Sequence, residues 1–276
     1  MDSRICDMLG IEFPLVAFSH CRDVVVEVSK AGGFGVFGAA TITPEQLEIE
    51  LSWIDEHIDG KPYGVDLILP NKYEGKGEQK SPDEVLAMLP VEHIDFVNGI
   101  LEAHGVSSDD VDDAARRDSM GFANNLSIEG ALGHLDVAFA HPIKLIANAL
   151  GVPPKEMLAR GRQNGVAVAA LVGAKSHALN QVQAGVDILV VAGGEAGGHC
   201  GSVSTMVLVP EIHAAIQDHG DTPILAAGGI VTGRQMAACM AMGASGVWTG
   251  SVWLTTAEGE TNPVVKEKML AASSSD

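Results

Sequence analysis

Short apolar runs rich in β-branched residues recur along the whole chain, with amphipathic stretches between them, and this alternation constrains the fold more than any other feature. Eight runs stand out: PLVAF (14–18), GVFGA (35–39), YGVDLIL (63–69), DVAFA (136–140), VAVAALVG (166–173), DILVVAGG (187–194), PILAAGG (223–229) and GVWTGS (246–251). A run that is apolar at every position belongs to a strand covered on both faces, and strands separated by helices form a parallel sheet. Eight strands in βα alternation close on themselves more readily than they form an open sheet of that width. The expected fold is therefore α/β, a (β/α)8 TIM barrel. The 276 residues fit one such domain spanning 1–276.

Helices are expected between the runs. Thr43-Pro44-Glu45-Gln46 reads as a capping box with proline at the first helical position, opening a helix through about His57. Segments 175–184, 206–218 and 232–242 read as helices ending near a Gly or Asp. Between the third and fourth runs, residues 71–135 are rich in Asp, Glu, Lys and Ser, with helical periodicity around 91–104. Connections this long in a compact domain are functional or irregular, and this one is expected to be a helical insertion at the barrel mouth, a lid.

Composition excludes several classes. A formal net charge of −19 with no cluster of Lys and Arg argues against nucleic acid. Cys6, Cys21, Cys200 and Cys239 lack CxxC spacing and the density of a secreted disulfide scaffold, so free thiols in the cytoplasm and no metal site are expected. No apolar run of about 18 residues and no export signal appear, so no membrane association is expected. Association with a second copy of the chain is left open.

The chemistry concentrates where strands should end, the catalytic face of a parallel barrel. GGEAGGHCG (193–201) follows the sixth run and carries His199 among glycines that let backbone approach a ligand closely. AAGGI (226–230) follows the seventh run and TGS (249–251) the eighth, the two loops that form the usual phosphate site of such barrels. Backbone amides of Gly228, Gly229, Gly250 and Ser251 could cradle one phosphate monoester without a basic patch.

These residues, together with AGGFGVFGA (31–39), SHALNQVQAGVDILV (176–190), GGEAGGHCGSVSTMVLVPEI (193–212) and AAGGIVTGRQMAACMAMGASGVWTGS (226–251), resemble the nitronate monooxygenases, FMN barrels related to the flavin-dependent enoyl-acyl carrier protein reductases. The resemblance spans nearly the whole chain, and EAGGH in its strand context is its most specific part. It implies FMN across the strand ends, with its phosphate at Gly228, Gly229, Gly250 and Ser251. Gly193, Ala196, Gly197 and Gly198 would line the cofactor, with Ala17, Ser19, Ala192 and Ala227 at neighbouring strand ends. FMN rather than FAD is expected, since one phosphate site is offered and no GxGxxG follows an early strand. His199 would be the proton acceptor, a role suited to an imidazole of ordinary pKa about 6.5.

Other residues read as structural. Asp187 lies at a strand entry, Glu195 is expected to hold its loop, Cys200 lacks the electropositive surroundings of a nucleophile, and Trp248 and Trp253 are expected to pack. The chain also departs from the family. Ala17-Phe18-Ser19-His20 stands where relatives carry Ala-Pro-Met, which makes His20 a second ionisable group near the site. Ala192 and Val252 replace polar or charged residues, and Asp66 replaces an Asn, adding a negative charge that disfavours an anionic substrate. The chain stops at Asp276, where relatives usually continue through a segment covering one side of the barrel. The leading function is oxidation of nitronates or nitroalkanes with O2. Enoyl-thioester reduction by NAD(P)H and flavin binding without turnover are the alternatives.

Overall fold

A strand that is apolar throughout has no face to give to water, and the chain resolves this by closing its sheet. The structure, a computed structural model, describes residues 3–69, 84, 87–107, 128–198 and 200–274. Its parallel strands β1 (Leu15–Ser19), β2 (Phe34–Gly38), β3 (Tyr63–Leu67), β4 (Leu145–Asn148), β5 (Ala167–Val172), β6 (Ile188–Ala192), β7 (Ile224–Ala227) and β8 (Gly246–Thr249) pair in sequence order, and β8 pairs back with β1. This is the expected (β/α)8 barrel. The principal helices are α1 (Arg4–Leu9), α2 (Arg22–Lys30), α3 (Pro44–His57), α4 (Val91–Ala103), α5 (Ile128–Ala140), α6 (Lys155–Asn164), α7 (Lys175–Ala184), α8 (Thr205–Ile216), α9 (Gly233–Ala241) and α10 (Pro263–Ala271).

Strand side chains alternate between two cores, as a period of two requires. Val16, Val36, Ala147, Ala169, Val190, Leu225 and Trp248 belong to one apolar cluster that joins residues from all around the barrel, which places it in the lumen. Their neighbours Val65, Ile146, Val168, Val191, Ala226 and Val247 pack outward beneath the helices. Ile5 and Leu9 of α1 join the lumen cluster, and Ser3 Oγ donates to Ser245 O just before β8, so α1 plugs the end where the strands begin. The opposite end is left for a site. The capping box of α3 forms as expected: Gln46 N–H donates to Thr43 Oγ1 (3.3 Å) and Thr43 N–H donates to Gln46 Oε1 (2.9 Å).

The fourth strand corrects the sequence reading. Residues 136–140, expected as a strand, are the end of helix α5, and the strand is Leu145–Asn148. Ala131, Leu135 and Ala138 are buried while Leu132 is exposed, a spacing of four and three that a helix makes and a strand does not. A continuous apolar run carries no period of its own, so DVAFA was open to either assignment. Leu145–Asn148 is short and ends in a polar residue, which hid it. Helix α5 is held by its packing on α3 and by His134, whose Nδ1 and Nε2 lie 2.8 Å from Gly130 O and 2.9 Å from Ile42 O.

The expected insertion at 71–135 is corrected at its far end, because 128–135 belong to α5, which contributes to the barrel's outer core. The expected periodicity at 91–104 is realised as α4, which buries no residue. Residues 70–83, 85–86 and 108–127, and with them most of the proposed lid, lie outside the described residues. On the flank between α2 and α9, an apolar cavity of about 500 Å³ is lined by Leu15, Val24, Val28, Met236, Met240 and Trp253. It opens beside the β8–β1 seam, and α10, the helix after β8, buries no residue that would fill it.

The helical face of α5 makes a direct prediction for chemical denaturation. Leu135→Ala should cost about 2–5 kcal/mol, as expected for a buried leucine, and Leu132→Ala should stay within about 0.5 kcal/mol. Equal losses at the two positions would contradict a helix with this buried face.

Candidate active site

The end of β6 is held in place by backbone geometry. Gly193 N–H donates to Ala227 O (3.1 Å), and a Cβ on Gly193 would collide with the Thr205 backbone, so only glycine lets the loop pass this close to the start of α8. Glu195 Oε2 accepts from Thr205 N–H (2.8 Å) and lies 3.0 Å from Thr205 Oγ1. The Thr205 backbone N–H holds the Glu195 carboxyl below its ordinary range, and a carboxylate at a helix N-terminus is favoured by the helix dipole. Glu195 thus has the loop-holding role expected for it.

Thr205, which the motif reading did not single out, joins two loops. Its Oγ1 lies 3.0 Å from Ala227 O and 3.1 Å from Gly228 O, so its single proton is available to either carbonyl or to Glu195. Gly228 and Gly229 follow with φ of +103° and +69°, both left-handed. A Cβ on Gly228 would stand 2.8 Å from Thr205 Oγ1 and 3.0 Å from Ala196 N. Gln235 Nε2 donates to Gly229 O (2.7 Å), while its Oε1 accepts from Thr232 N–H (2.9 Å) and completes the capping box at the start of α9. At the end of β8, Ser251 opens a short 3-10 turn, Ser251–Thr255, and its Oγ abuts Gly197 of the β6 loop. Beside Gly198 and Gly250 the space is open to within 3.9 Å or more. The ends of three adjacent strands therefore bring glycine backbone together, with Ser251 Oγ against Gly197 and the Glu195 side chain against Gly229; backbone amides in such a setting can hold a phosphate monoester.

The end of β1 is built differently. Ala17 is fully buried and packs outward with Cys21, Val24 and Val28, leaving only its backbone toward the site. Ser19 Oγ accepts from Cys21 N–H (3.0 Å) and so shapes its own turn. Phe18 points inward, its ring stacked on Trp248 at 6.3 Å and edge-on to His20 at 5.1 Å. His20 is exposed, and its Nδ1–H donates to Gly38 O (2.8 Å), leaving Nε2 as the basic atom of the neutral ring. Gly38 must lack a side chain, because a Cβ would stand 2.6 Å from Phe18 Cζ and 2.9 Å from His20 Cε1.

The structure thus brings Ala192, Gly193, Ala196, Gly197, Gly198, Ala227, Gly228, Gly229, Gly250 and Ser251 to one face, with Ala192 and Ala227 buried in the lumen beneath it. His199 lies outside the described residues; its neighbours Gly198 and Cys200 are exposed. Asp187 accepts from Val168 N–H (2.8 Å) at the strand entry, the structural role expected. Trp248 and Trp253 pack, and Trp253 Nε1–H lies 3.0 Å from Thr249 Oγ1. Cys21, Asp23 and Glu260 bring ligand atoms within 4.8 Å of one another on the flank, but the Cys21 thiol already donates to Glu258 O (3.0 Å).

Asp66 corrects the expectation of a fixed negative charge. It is 6% exposed on β3, its Oδ1 has no hydrogen-bond partner, and burial pushes its pKa up to about 7. At neutral pH the carboxyl is divided between its acid and its anion.

A model of the family described as nitronate monooxygenase matches residues 2–276. A protein of Mycobacterium tuberculosis (strain H37Rv), provisionally named a monooxygenase, is 54% identical over 278 residues, which cover 100% of this chain and 72% of that protein. A protein of Staphylococcus haemolyticus, provisionally named a nitronate monooxygenase, is 27% identical, with 100% of this chain and 74% of that protein covered. Among solved structures, FabK from Thermotoga maritima superimposes with a TM-score of 0.71 at 25% identity, over 99% of this chain and 69% of that one. The nitroalkane oxidase of Streptomyces ansochromogenes shares the fold, with a TM-score of 0.72 at 24% identity over 95% of this chain and 71% of that one.

Asp66 sets a pH dependence of stability. Its folded pKa of about 7 lies above the ordinary 3.8, so between these values the native state holds more protons than the unfolded state, and stability falls as pH rises. The full penalty, on the order of 4 kcal/mol, is in place above pH 7. Asp66→Asn should therefore raise the urea midpoint at pH 8 and leave it nearly unchanged at pH 4. A gain of equal size at both pH values would contradict this origin.

Proposed function

The chain belongs to the nitronate monooxygenase family, and from that premise we infer that it is an FMN-dependent oxidoreductase that oxidises alkyl nitronates or nitroalkanes with O2. The observation that carries the cofactor reading is the left-handed Gly228–Gly229 turn standing beside Gly250 and Ser251, a backbone cradle at the ends of β7 and β8. Gly228, Gly229, Gly250 and Ser251 hold the phosphate in this reading. In this reading Gly193, Ala196, Gly197 and Gly198 would line the cofactor, with Ala17, Ser19, Ala192 and Ala227 at the neighbouring strand ends. The whole barrel, 1–276, acts as one cofactor-binding domain.

When bound, FMN supplies two-electron redox chemistry. The chain's own part is to position the substrate and to take a proton. A neutral nitroalkane must lose the proton on the carbon bearing the nitro group, and His199 accepts it, leaving the nitronate and an imidazolium. A nitronate supplied as the anion has already lost that proton, so His199 then serves only to neutralise or orient it. His20, with Nε2 unused at the mouth, is the next base to consider.

Heat-denatured protein should release FMN and no FAD. Gly229→Asp places a side chain and a negative charge against the phosphate and should lower flavin occupancy in a folded protein; unchanged occupancy would displace the phosphate from this turn. Anaerobic titration decides the donor: bleaching of the flavin by nitronate supports the proposed reaction, and rapid bleaching by NAD(P)H favours enoyl-thioester reduction instead.

His199→Asn should lower turnover of neutral nitroalkanes by about 10² to 10⁴ and turnover of pre-formed nitronates much less, at equal flavin content. Equal losses on both substrates would remove His199 from the base role.

A further inference from the structure

Among the described residues, Asp66 is the only buried acidic side chain, and its Oδ1 is left without a partner. Buried polar atoms are almost always paired, so an orphaned carboxyl oxygen needs a reason. Its place in the barrel supplies one. Gly64, two residues earlier on β3, faces the lumen, because a Cβ there would meet Leu145 Cβ and Phe34 Cε1 of the lumen core at 3.0 Å. Side chains two apart share a face, so Asp66 faces the lumen as well, one step nearer the mouth.

Its ladder partners are Gly38 on β2 and Ala147 on β4, neither of which offers a polar side chain. Asn148, next on β4, is engaged with the chain around Leu69, Leu150 and Gly151. From β1 the titratable neighbour is His20, bound through Nδ1 to Gly38 O, and β2 and β4 present no Lys, Arg or further acid at this level. His199, on the loop after β6, lies outside the described residues. No fixed cation therefore faces Asp66 from these strands.

We propose that Asp66 is a ligand-facing acid: in its protonated form it donates a hydrogen bond to an acceptor atom of the flavin ring seated over the lumen, and its ionisation weakens flavin binding. The proposal rests on the FMN reading above. A carboxyl in an apolar lumen without a cation is stabilised as the neutral acid, which is a donor where the anion is only an acceptor. Flavin carbonyl and ring-nitrogen acceptors are satisfied by such a donor and repelled by a carboxylate. A pKa of about 7 places the change within the neutral range. Asparagine at this position donates at every pH, so the acid adds pH sensitivity to a contact that an amide would make permanently.

The test is titration of FMN into the apoprotein, read by quenching of flavin fluorescence from pH 5.5 to 8.5, for the wild type and Asp66→Asn. The wild-type Kd should rise roughly three- to tenfold relative to that of Asp66→Asn across this interval, the loss of one net hydrogen bond. Titration of the FMN phosphate is common to both proteins and cancels in the ratio. A ratio that does not change with pH overturns the role of Asp66 while leaving the FMN site intact. A wild type that binds no FMN overturns the flavin reading and this proposal together. If Asp66→Asn does not fold, the wild type decides alone: the infrared difference spectrum on FMN binding at pH 6 should show the carbonyl band of a protonated carboxyl shifting, and the absence of that band overturns the proposal.

Discussion

Everything in this fold depends on closure of the ladder between β8 and β1, where Leu15, Val16 and Ala17 pair with Val247, Trp248 and Thr249. Once the seam is shut no strand has a free edge, and every strand is covered by the lumen on one side and helices on the other. Function is thereby driven to the strand ends. Because all the strands run parallel, their C-terminal ends fall on a single face, while α1 occupies the other. Side-chain bonds reinforce the seam itself: Thr249 Oγ1 donates to Val16 O (3.1 Å), and Trp253 Nε1 reaches back to Thr249.

At the mouth, the same closure makes backbone the main building material. β6, β7 and β8 are adjacent, so three glycine-bearing loops converge, and Thr205 and Glu195 fasten two of them together. The chain carries a net charge of −19, and two of its acids near the strand ends are governed by their surroundings. Glu195 is turned to the N-terminus of α8, and Asp66 is held partly neutral by burial.

The chain's alternation of apolar runs and amphipathic helices was sufficient for the barrel, and its glycine motifs fall together at the ends of β6, β7 and β8. Local signals with their own geometry were legible as well: the Thr43–Gln46 box, the turn at Gly228–Gly229 and the helix after Lys175 all depend on neighbours a few residues away. The run at 136–140 was not legible, because a fully apolar segment suits a buried helix and a buried strand equally, and only the packing of Leu135 and Ala138 against the barrel distinguishes them. Thr205 was missed for a related reason: which distant carbonyl a hydroxyl meets is settled by register across strands. The sequence by itself determined the alternating order of elements, apart from the fourth strand, and the residue types offered at their ends. Tertiary structure alone decided the state of Asp66, since nothing adjacent to it in sequence removes its water or denies it a cation; the closed lumen does both.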